Sequence, residues 1–305
     1  MEKPISNVRQ TIRRSPGDVV FDVIIYIILT CMLAVVAYPL YFIVIASFSE
    51  PDFVNRGQVV FTIKGFTVSG YNRILQDAEL WMSYLNTIIY TFSGTFLAVM
   101  TTMALAYPLS RKNFSGRSFL MIFLLITMYL NGGMIPNYLL VSSLGLRDTR
   151  TVLIVLGIIS VYNVIVARTF LEANISVDLE AAAAIDGCGQ IRFFFQNVLP
   201  LSKAVISVLV LYYGVARWND FMNALIYVDD VSKQPLALKL REILISTSAS
   251  VSFDTQDPLE AEERLRIAES VKYGVMIVST VPVLCLYPFL QKYFAKGAMI
   301  GSVKG

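Results

Sequence analysis

Few side chains in this sequence are suited to catalysis. The chain contains no histidine, which removes the commonest general base and the commonest metal ligand. Its three cysteines, Cys31, Cys188 and Cys285, have neither the spacing of a zinc site nor that of a disulfide framework. No stretch matches the G-x-x-x-x-G-K-[ST] loop that cradles nucleotide phosphates. We therefore expect no catalytic residue, no metal site and no bound cofactor in this chain, which is predicted not to be an enzyme.

The most informative polar stretch is Glu180-Ala-Ala-Ala-Ala-Ile-Asp-Gly187, which lies between two long apolar segments. Its alanines favour a helix, and Gly187 suits the left-handed position at which many helices end. Ser176 or Asp178 is suited to cap the start of that helix. Because a helix of about ten residues is marginal alone in water, we expect it to need a docking surface. Its small face would allow close approach of another protein and is formed by Leu179, Ala182, Ala183 and Asp186. The pattern indicates a coupling loop, with an ordinary connecting loop as the alternative.

The composition is typical of a membrane protein. Hydrophobic residues make up 56% of the chain and charged residues only 15%, which is far from the average soluble domain. The net charge of +3 gives no basic footprint for nucleic acid. A membrane-spanning helix needs about 20 mostly apolar residues, and six segments are long enough. They are residues 19–48, 82–109, 119–138, 152–171, 201–228 and 273–294. We predict an all-α protein with six transmembrane helices in contact with membrane lipid.

The distribution of lysine and arginine predicts how these helices are oriented. Basic residues are concentrated in the N-terminal tail, the second connection and the C-terminal end. Six spans place these three regions on one side of the membrane, and the positive-inside rule makes that side the cytoplasm. The resulting predicted regions are a cytoplasmic tail at 1–18, a six-helix transmembrane domain at 19–294 with a cytoplasmic loop at 172–200 and outer loops at 49–81 and 229–271, and a cytoplasmic tail at 295–305. Residues 59–63 of the first outer loop are predicted to form a short strand.

The segment from Glu180 to Pro200 resembles the coupling loop in the membrane subunits of ATP-driven, binding-protein-dependent sugar importers of the maltose type. In that family Glu-Ala-Ala is followed by Asp-Gly and then by a Leu-Pro pair, and Asp186-Gly187 and Leu199-Pro200 match this spacing. The family's glutamate aligns with Ala181, so Glu180 is offset by about 100° around the helix. The resemblance implies contact with an ATPase subunit through Glu180, Ala181, Ala182, Asp186, Gly187 and Pro200.

Other parts of the chain resemble the branch of this family that transports complex oligosaccharides and polysaccharides. The similar stretches are Gly133-Met-Ile-Pro136, Gly145-Leu-Arg-Asp-Thr149 and the glycine-rich tail from Lys292 to Gly305. The resemblance implies that the tail reaches the ATPase through Gly301, Ser302 and Gly305. It also implies that an outer segment touches a sugar-binding protein through Gln234, Pro235, Leu236 and Leu238. A solvated connector is the alternative for the outer segment.

Polar and aromatic side chains within the predicted spans are the first candidates for a substrate path. Amides and aromatic rings suit the hydroxyls and C–H faces of sugars. The candidates are Asn86, Tyr90, Asn131, Tyr162, Asn163, Trp218, Asn219 and Asn223. Hydrogen bonding between helices is the structural alternative for the asparagines, and Asn131-Gly132-Gly133 either breaks the third span or ends it. Arg217 and Asp220, three residues apart near the outer end of the fifth span, are predicted to form an interfacial ion pair.

The resemblance implies a type I ABC importer permease fold in the bacterial inner membrane, with both termini in the cytoplasm. The implied partners are a second, similar permease, two ATPase subunits that bind ATP and magnesium, and an extracytoplasmic sugar-binding protein. The alternative from another class is a stand-alone transporter driven by an ion gradient. Such a transporter predicts inverted repeats and a carboxylate near the middle of the membrane, and the sequence shows neither clearly.

Overall fold

A computed structural model describes residues 16–130, 132–249 and 271–285 of the chain. These residues are mostly helical and contain no strand within the described ranges, where Ser49 and Phe66 form an isolated antiparallel bridge. The all-α prediction is therefore confirmed. The chain divides into two compact units, 1–67 and 68–305, which we describe separately.

The first unit contains a long apolar helix followed by a short folded excursion. Its helices are α1 (Pro16–Ser47) and α2 (Pro51–Asn55). The most apolar stretch of α1 has no buried residue, which suits a helix surrounded by lipid or by other membrane helices. The predicted strand at 59–63 is wrong, because these residues form bends without strand pairing. The carbonyls of Val60 and Phe61 instead accept hydrogen bonds from the hydroxyls of Tyr38 (3.4 Å) and Tyr41 (2.6 Å).

The second unit is built from thirteen helices in the described residues. They are α3 (Ser69–Gln76), α4 (Ala78–Ser110), α5 (Arg117–Tyr129), α6 (Met134–Ser143), α7 (Arg150–Val155), α8 (Val161–Asn174), α9 (Val177–Ile185), α10 (Gln190–Phe193), α11 (Leu199–Leu201), α12 (Lys203–Trp218), α13 (Met222–Tyr227), α14 (Leu236–Ala249) and α15 (Val271–Cys285). A π-helical stretch, Phe194–Val198, joins α10 to α11, and a 3-10 turn, Val231–Lys233, precedes α14.

Helix α4 lies at the centre of this unit. It packs most extensively against α12 and α8, and Met103, Leu171 and Leu209 are fully buried between these helices. Lipid tails are as apolar as leucine, so such packing relies on close fit and small residues rather than on removal of water. Gly94 illustrates this, because a Cβ atom there would lie 3.2 Å from Nε of Arg217 on α12.

The predicted spans are only partly continuous. Among the described residues, α1 and α4 are each long and apolar enough to cross a membrane, and two bent pairs could bring the number to four. The bent pairs are α5 with α6, at 113°, and the segment Gln190–Leu201 with α12, at 82°. The segments 152–171 and 201–228, each predicted as one span, are divided into shorter helices. In the first segment, Gly157, at φ +69°, lies in the gap between α7 and α8. In the second segment, α12 stops at Trp218 before α13 begins.

Candidate functional site

Helix α9 has the ends that its sequence predicts. Its N-cap is Ser176, whose Oγ accepts a hydrogen bond from the backbone N–H of Leu179 at 3.2 Å. Gly187 follows the helix at φ +74°, and its N–H donates to the carbonyl of Ala184 at 3.0 Å. The next amide, that of Cys188, donates to the carbonyl of Ala183 at 2.9 Å. The left-handed glycine thus supplies donors to carbonyls that the end of a helix leaves unpaired.

One side of α9 faces the protein and the other is open. Ala183 is half-buried against the core formed by α4, α8 and α12, so the prediction that it belongs to a free docking face is wrong. The open side carries Val177 and Ile185, which are 62% and 87% exposed, together with Ala181 and Ala184. We call these four residues the exposed face of α9. It is a small, mainly apolar surface bordered by the exposed Asp178, to which another helix or a shallow cleft could come close.

The Glu180 side chain is turned inward and is held by neighbouring elements. Its Oε1 accepts a hydrogen bond from Nε2 of Gln190 at 3.0 Å, and its Oε2 lies 3.3 Å from Nε of Arg111, at ion-pair distance but without hydrogen-bond alignment. The Tyr107 hydroxyl donates to Oε1 of Gln190 at 2.9 Å. Arg111 also donates from Nη1 to the carbonyl of Ile175 at 3.0 Å and stacks over the Tyr107 ring. Both carboxylate oxygens of Glu180 therefore interact with residues of this chain.

A second polar network lies beside the first. Glu172 near the end of α8 pairs with Arg117 at 2.9 Å and with Arg168 at 3.1 Å. Arg168 also donates from Nε to the carbonyl of Leu109 at 3.0 Å. These contacts join the end of α4, the start of α5 and the end of α8 around one carboxylate. The elements next to α9 are thus tied to each other as well as to α9.

An open groove of about 550 Å³ adjoins Glu180. Its walls are mainly aromatic and aliphatic. The lining residues are Ala104, Tyr107, Pro108, Arg111, Asn113, Phe114, Glu180, Gln190, Ile191, Phe194 and Phe195. The groove lies between the end of α4 and the π-helical stretch, and Glu180 is the residue of α9 that lines it. In contrast, no group of three or more Cys, Asp or Glu side chains that could hold a metal ion occurs among the residues that the structure describes.

In the N-terminal half of α4, two residues predicted to line the substrate path bind backbone carbonyls instead. Asn86 is 1% exposed and donates from Nδ2 to the carbonyls of Ser232 (2.8 Å) and Gln234 (3.2 Å). The Tyr90 hydroxyl donates to the carbonyl of Lys233 at 2.9 Å. Thr87 between them accepts a hydrogen bond from the backbone N–H of Leu236 at 2.7 Å. These three side chains hold residues 232–236, which we call the outer segment, against α4.

The outer segment is also held by charged groups. Asp148 has a left-handed backbone at φ +53°, and its Oδ1 accepts hydrogen bonds from the backbone N–H groups of Asp229 (3.2 Å) and Asp230 (3.0 Å). Its Oδ2 lies 3.1 Å from Nζ of Lys233. The backbone N–H of Asp230, followed by the Lys233 ammonium, lowers the pKa of the Asp148 carboxyl. In turn the hydrogen bond to Asp148 raises the pKa of Lys233.

The residues predicted to touch a binding protein are buried within the fold of this chain. Gln234, Pro235, Leu236 and Leu238 are all buried, Leu236 and Leu238 to 1% exposure. Another protein approaching this region would first meet Val231 and Ser232, which are exposed. The tail residues Gly301, Ser302 and Gly305 lie outside the described residues.

The predicted ion pair between Arg217 and Asp220 is wrong. Arg217 is 8% exposed and donates from Nη1 to the carbonyl of Leu153 at 2.5 Å. Asp220 instead accepts hydrogen bonds at the start of α13 from the backbone N–H (3.2 Å) and side-chain amide (2.8 Å) of Asn223. Asp220 therefore stabilises a helix start, because its carboxylate takes two donors that lie one turn further along.

The remaining substrate-path candidates differ in how open they are. The Trp218 indole donates to the carbonyl of Ser279 at 3.1 Å and packs against Tyr84. Asn219 is exposed, and its amide bonds its own helix at the carbonyl of Val215. Tyr162 is 55% exposed and its ring lies 6.4 Å from that of Tyr212, which is also exposed. Asn163 is buried, and Asn131 lies outside the described residues.

Known proteins resemble this chain along nearly its whole length. No family model matches it. Protein LplC of Bacillus subtilis (strain 168) is 37% identical over 297 residues, covering 97% of this chain and 98% of LplC. The polygalacturonan/rhamnogalacturonan transport system permease protein YtcP of the same organism is 36% identical over 285 residues, covering 93% and 98%. A chain in the crystal structure of a bacterial ABC transporter that imports the acidic polysaccharide alginate superposes with a TM-score of 0.84 at 29% identity, covering 93% of this chain and 100% of that one.

Proposed function

Since the chain belongs to the permease subunits of ABC transport systems for oligosaccharides and polysaccharides, we propose that it imports oligosaccharides or polysaccharide fragments. In this proposal the chain is the membrane component, and separate ATPase subunits bind ATP and magnesium and carry out hydrolysis. The exposed face of α9 is the single observation that carries the coupling role. A capped, rigid helix with an open apolar side next to the membrane-spanning helices suits a surface moved by a partner.

The proposed assembly contains this chain, a second similar permease, two ATPase subunits and an extracytoplasmic binding protein. The distribution of basic residues supports an inner-membrane orientation with α9 and both termini in the cytoplasm. The outer segment would then face the binding protein, which would meet the exposed Val231 and Ser232. Asn86 and Tyr90 are not assigned to sugar contact, since both already bind backbone carbonyls.

The exposed pair of Tyr162 and Tyr212 is the best-placed candidate for contact with sugar. Two adjacent aromatic rings that are open to their surroundings suit the apolar C–H faces of a pyranose. Asn219 is exposed as well and presents an amide oxygen to the same kind of ligand. We therefore place the substrate path along α8 and α12 rather than along the buried face of α4.

Substitution of Ile185 tests the coupling role. Ile185→Asp places a charge in the proposed ATPase contact, where burying an isoleucine side chain contributes about 1.5–3 kcal/mol. We expect at least about a tenfold loss of ATPase recovered with the tagged chain, and a matching loss of sugar uptake. The matched control is Leu144→Asp, because Leu144 is an exposed apolar residue after α6 that is predicted to lie on the opposite side of the membrane.

The same experiment tests the alternative of a stand-alone transporter. If the wild-type chain alone supports uptake that collapses with the ion gradient and not with removal of ATP, the proposal is wrong. Equal loss of ATPase in both aspartate variants would also contradict it, since only one of them lies on the exposed face of α9.

A further inference from the structure

We propose that Glu180 is a positioning residue that couples α9 to α4 within this chain, and that it does not serve as a contact to the ATPase. The inference rests on the proposed function. Glu180, Gln190, Tyr107 and Arg111 form the connection, and we call these four residues the clasp. In this role the clasp transmits movement of α9 to the end of α4, while the exposed face of α9 receives that movement from the ATPase.

Both oxygens of Glu180 are already engaged on the protein side of α9. One accepts the Gln190 amide at 3.0 Å and the other lies 3.3 Å from the Arg111 guanidinium. The Glu180 side chain is only 21% exposed. The offset of one residue from the family's glutamate explains this direction. Ala181 occupies the outward position, and a rotation of about 100° turns the preceding side chain toward the core.

Arg111 fixes α9 at two points. Its Nη1 donates to the carbonyl of Ile175, the residue immediately before the N-cap, while its Nε faces the carboxylate one turn inside the helix. Its side chain is 12% exposed and stacks on Tyr107, one turn back in α4. Because one guanidinium holds both the start and the interior of α9, the helix cannot shift along α4 without breaking contacts at both points.

Helix α4 is suited to carry that shift across the molecule. Its 33 residues span about 50 Å at 1.5 Å per residue, and the described residues show it as one unbroken helix. Its N-terminal half holds the outer segment through Asn86, Thr87 and Tyr90. The clasp and the outer segment are therefore attached to the same continuous helix about 25–35 Å apart along its axis, which gives a direct mechanical path between them.

A double-mutant cycle on Glu180 and Arg111 tests the inference. The variants Glu180→Ala, Arg111→Ala and the double variant are reconstituted with the second permease, the ATPase subunits and the binding protein. Uptake of sugar, ATP hydrolysis with and without loaded binding protein, and ATPase recovered with the tagged chain are measured for each. Lys112→Ala is the matched control, because this exposed neighbour pairs with no acidic side chain among the described residues.

The clasp predicts an uncoupled transporter that remains assembled. Each single variant is expected to retain the ATPase within about twofold but to lose at least tenfold in uptake and in stimulation of hydrolysis by loaded binding protein. Uptake by the double variant should be no lower than uptake by the less active of the two single variants, since both substitutions remove the same contact. Glu180→Gln, which keeps an acceptor for Gln190, should recover part of the uptake.

Three results would overturn the clasp. The losses in the single variants could multiply in the double variant, Glu180→Ala could release the ATPase, or Lys112→Ala could uncouple the transporter as strongly as Arg111→Ala. Gln190→Ala is used if the charge variants do not fold, since position 190 is exposed. This variant should lose uptake without losing the ATPase. Failure of the wild-type chain to recover any ATPase would instead contradict the proposed function, so the two failures are distinguishable.

Discussion

Replacing Asn86 by leucine should release the outer segment from α4. The side-chain amide donates to two carbonyls, one buried and one partly exposed. Loss of the donor leaves the buried Gln234 carbonyl unpaired at a cost of about 1–3 kcal/mol and removes a second hydrogen bond that contributes about 0.5–1.5 kcal/mol. The expected total is about 1.5–4.5 kcal/mol, so the local opening that exposes this segment should become ~10-fold to ~2000-fold more frequent.

Hydrogen exchange of the peptide that covers residues 232–240 measures this opening directly. The amide of Leu236, which donates to Thr87, should lose protection by the same factor. Asn137→Leu is the control, because Asn137 on α6 is exposed and the same change there removes no contact to the outer segment. Protection that changes by less than threefold in Asn86→Leu would refute the reasoning. If sugar selectivity changed while protection did not, Asn86 would belong to the substrate path after all.

Two further predictions concern a turn and a titration. Gly187→Ala should cost about 1 kcal/mol of local stability, because Gly187 has φ +74° and a side chain disfavours the left-handed conformation. It should speed exchange of the following amide about fivefold. Gly189→Ala, at φ −67°, should leave that exchange unchanged, and equal effects would exclude backbone strain as the cause. The lowered pKa of Asp148 and the raised pKa of Lys233 mean that their contact stabilises the fold above the ordinary aspartate pKa and below that of lysine. The difference in thermal midpoint between wild type and Asp148→Asn should therefore shrink as the pH falls below about 4, and a constant difference down to pH 3 would contradict this assignment.

The features that could be predicted from sequence depend on neighbours along the chain. Ser176 and Gly187 mark the ends of α9 because capping and left-handed geometry are decided within a few residues. The roles of Asn86 and Arg217 could not be predicted in the same way. Asn86 finds its acceptors 146 and 148 positions away, and Arg217 bonds a carbonyl 64 positions away. A polar residue in an apolar span therefore signals that a partner is needed, but the sequence does not say which.

Several of the predicted spans are interrupted, whereas α4 is continuous. The breaks lie at Gly133 and Gly157, which both have positive φ, and after Trp218. A further bend, at Ser202, follows the π-helical stretch. Interruptions and π-helical turns of this kind are where helices bend. Movement of α9 therefore acts through the clasp on one stiff helix, α4, and through the core on several helices that can bend. In such an arrangement the surrounding helices can change their angles while α4 keeps the coupling surface and the outer segment at a fixed separation.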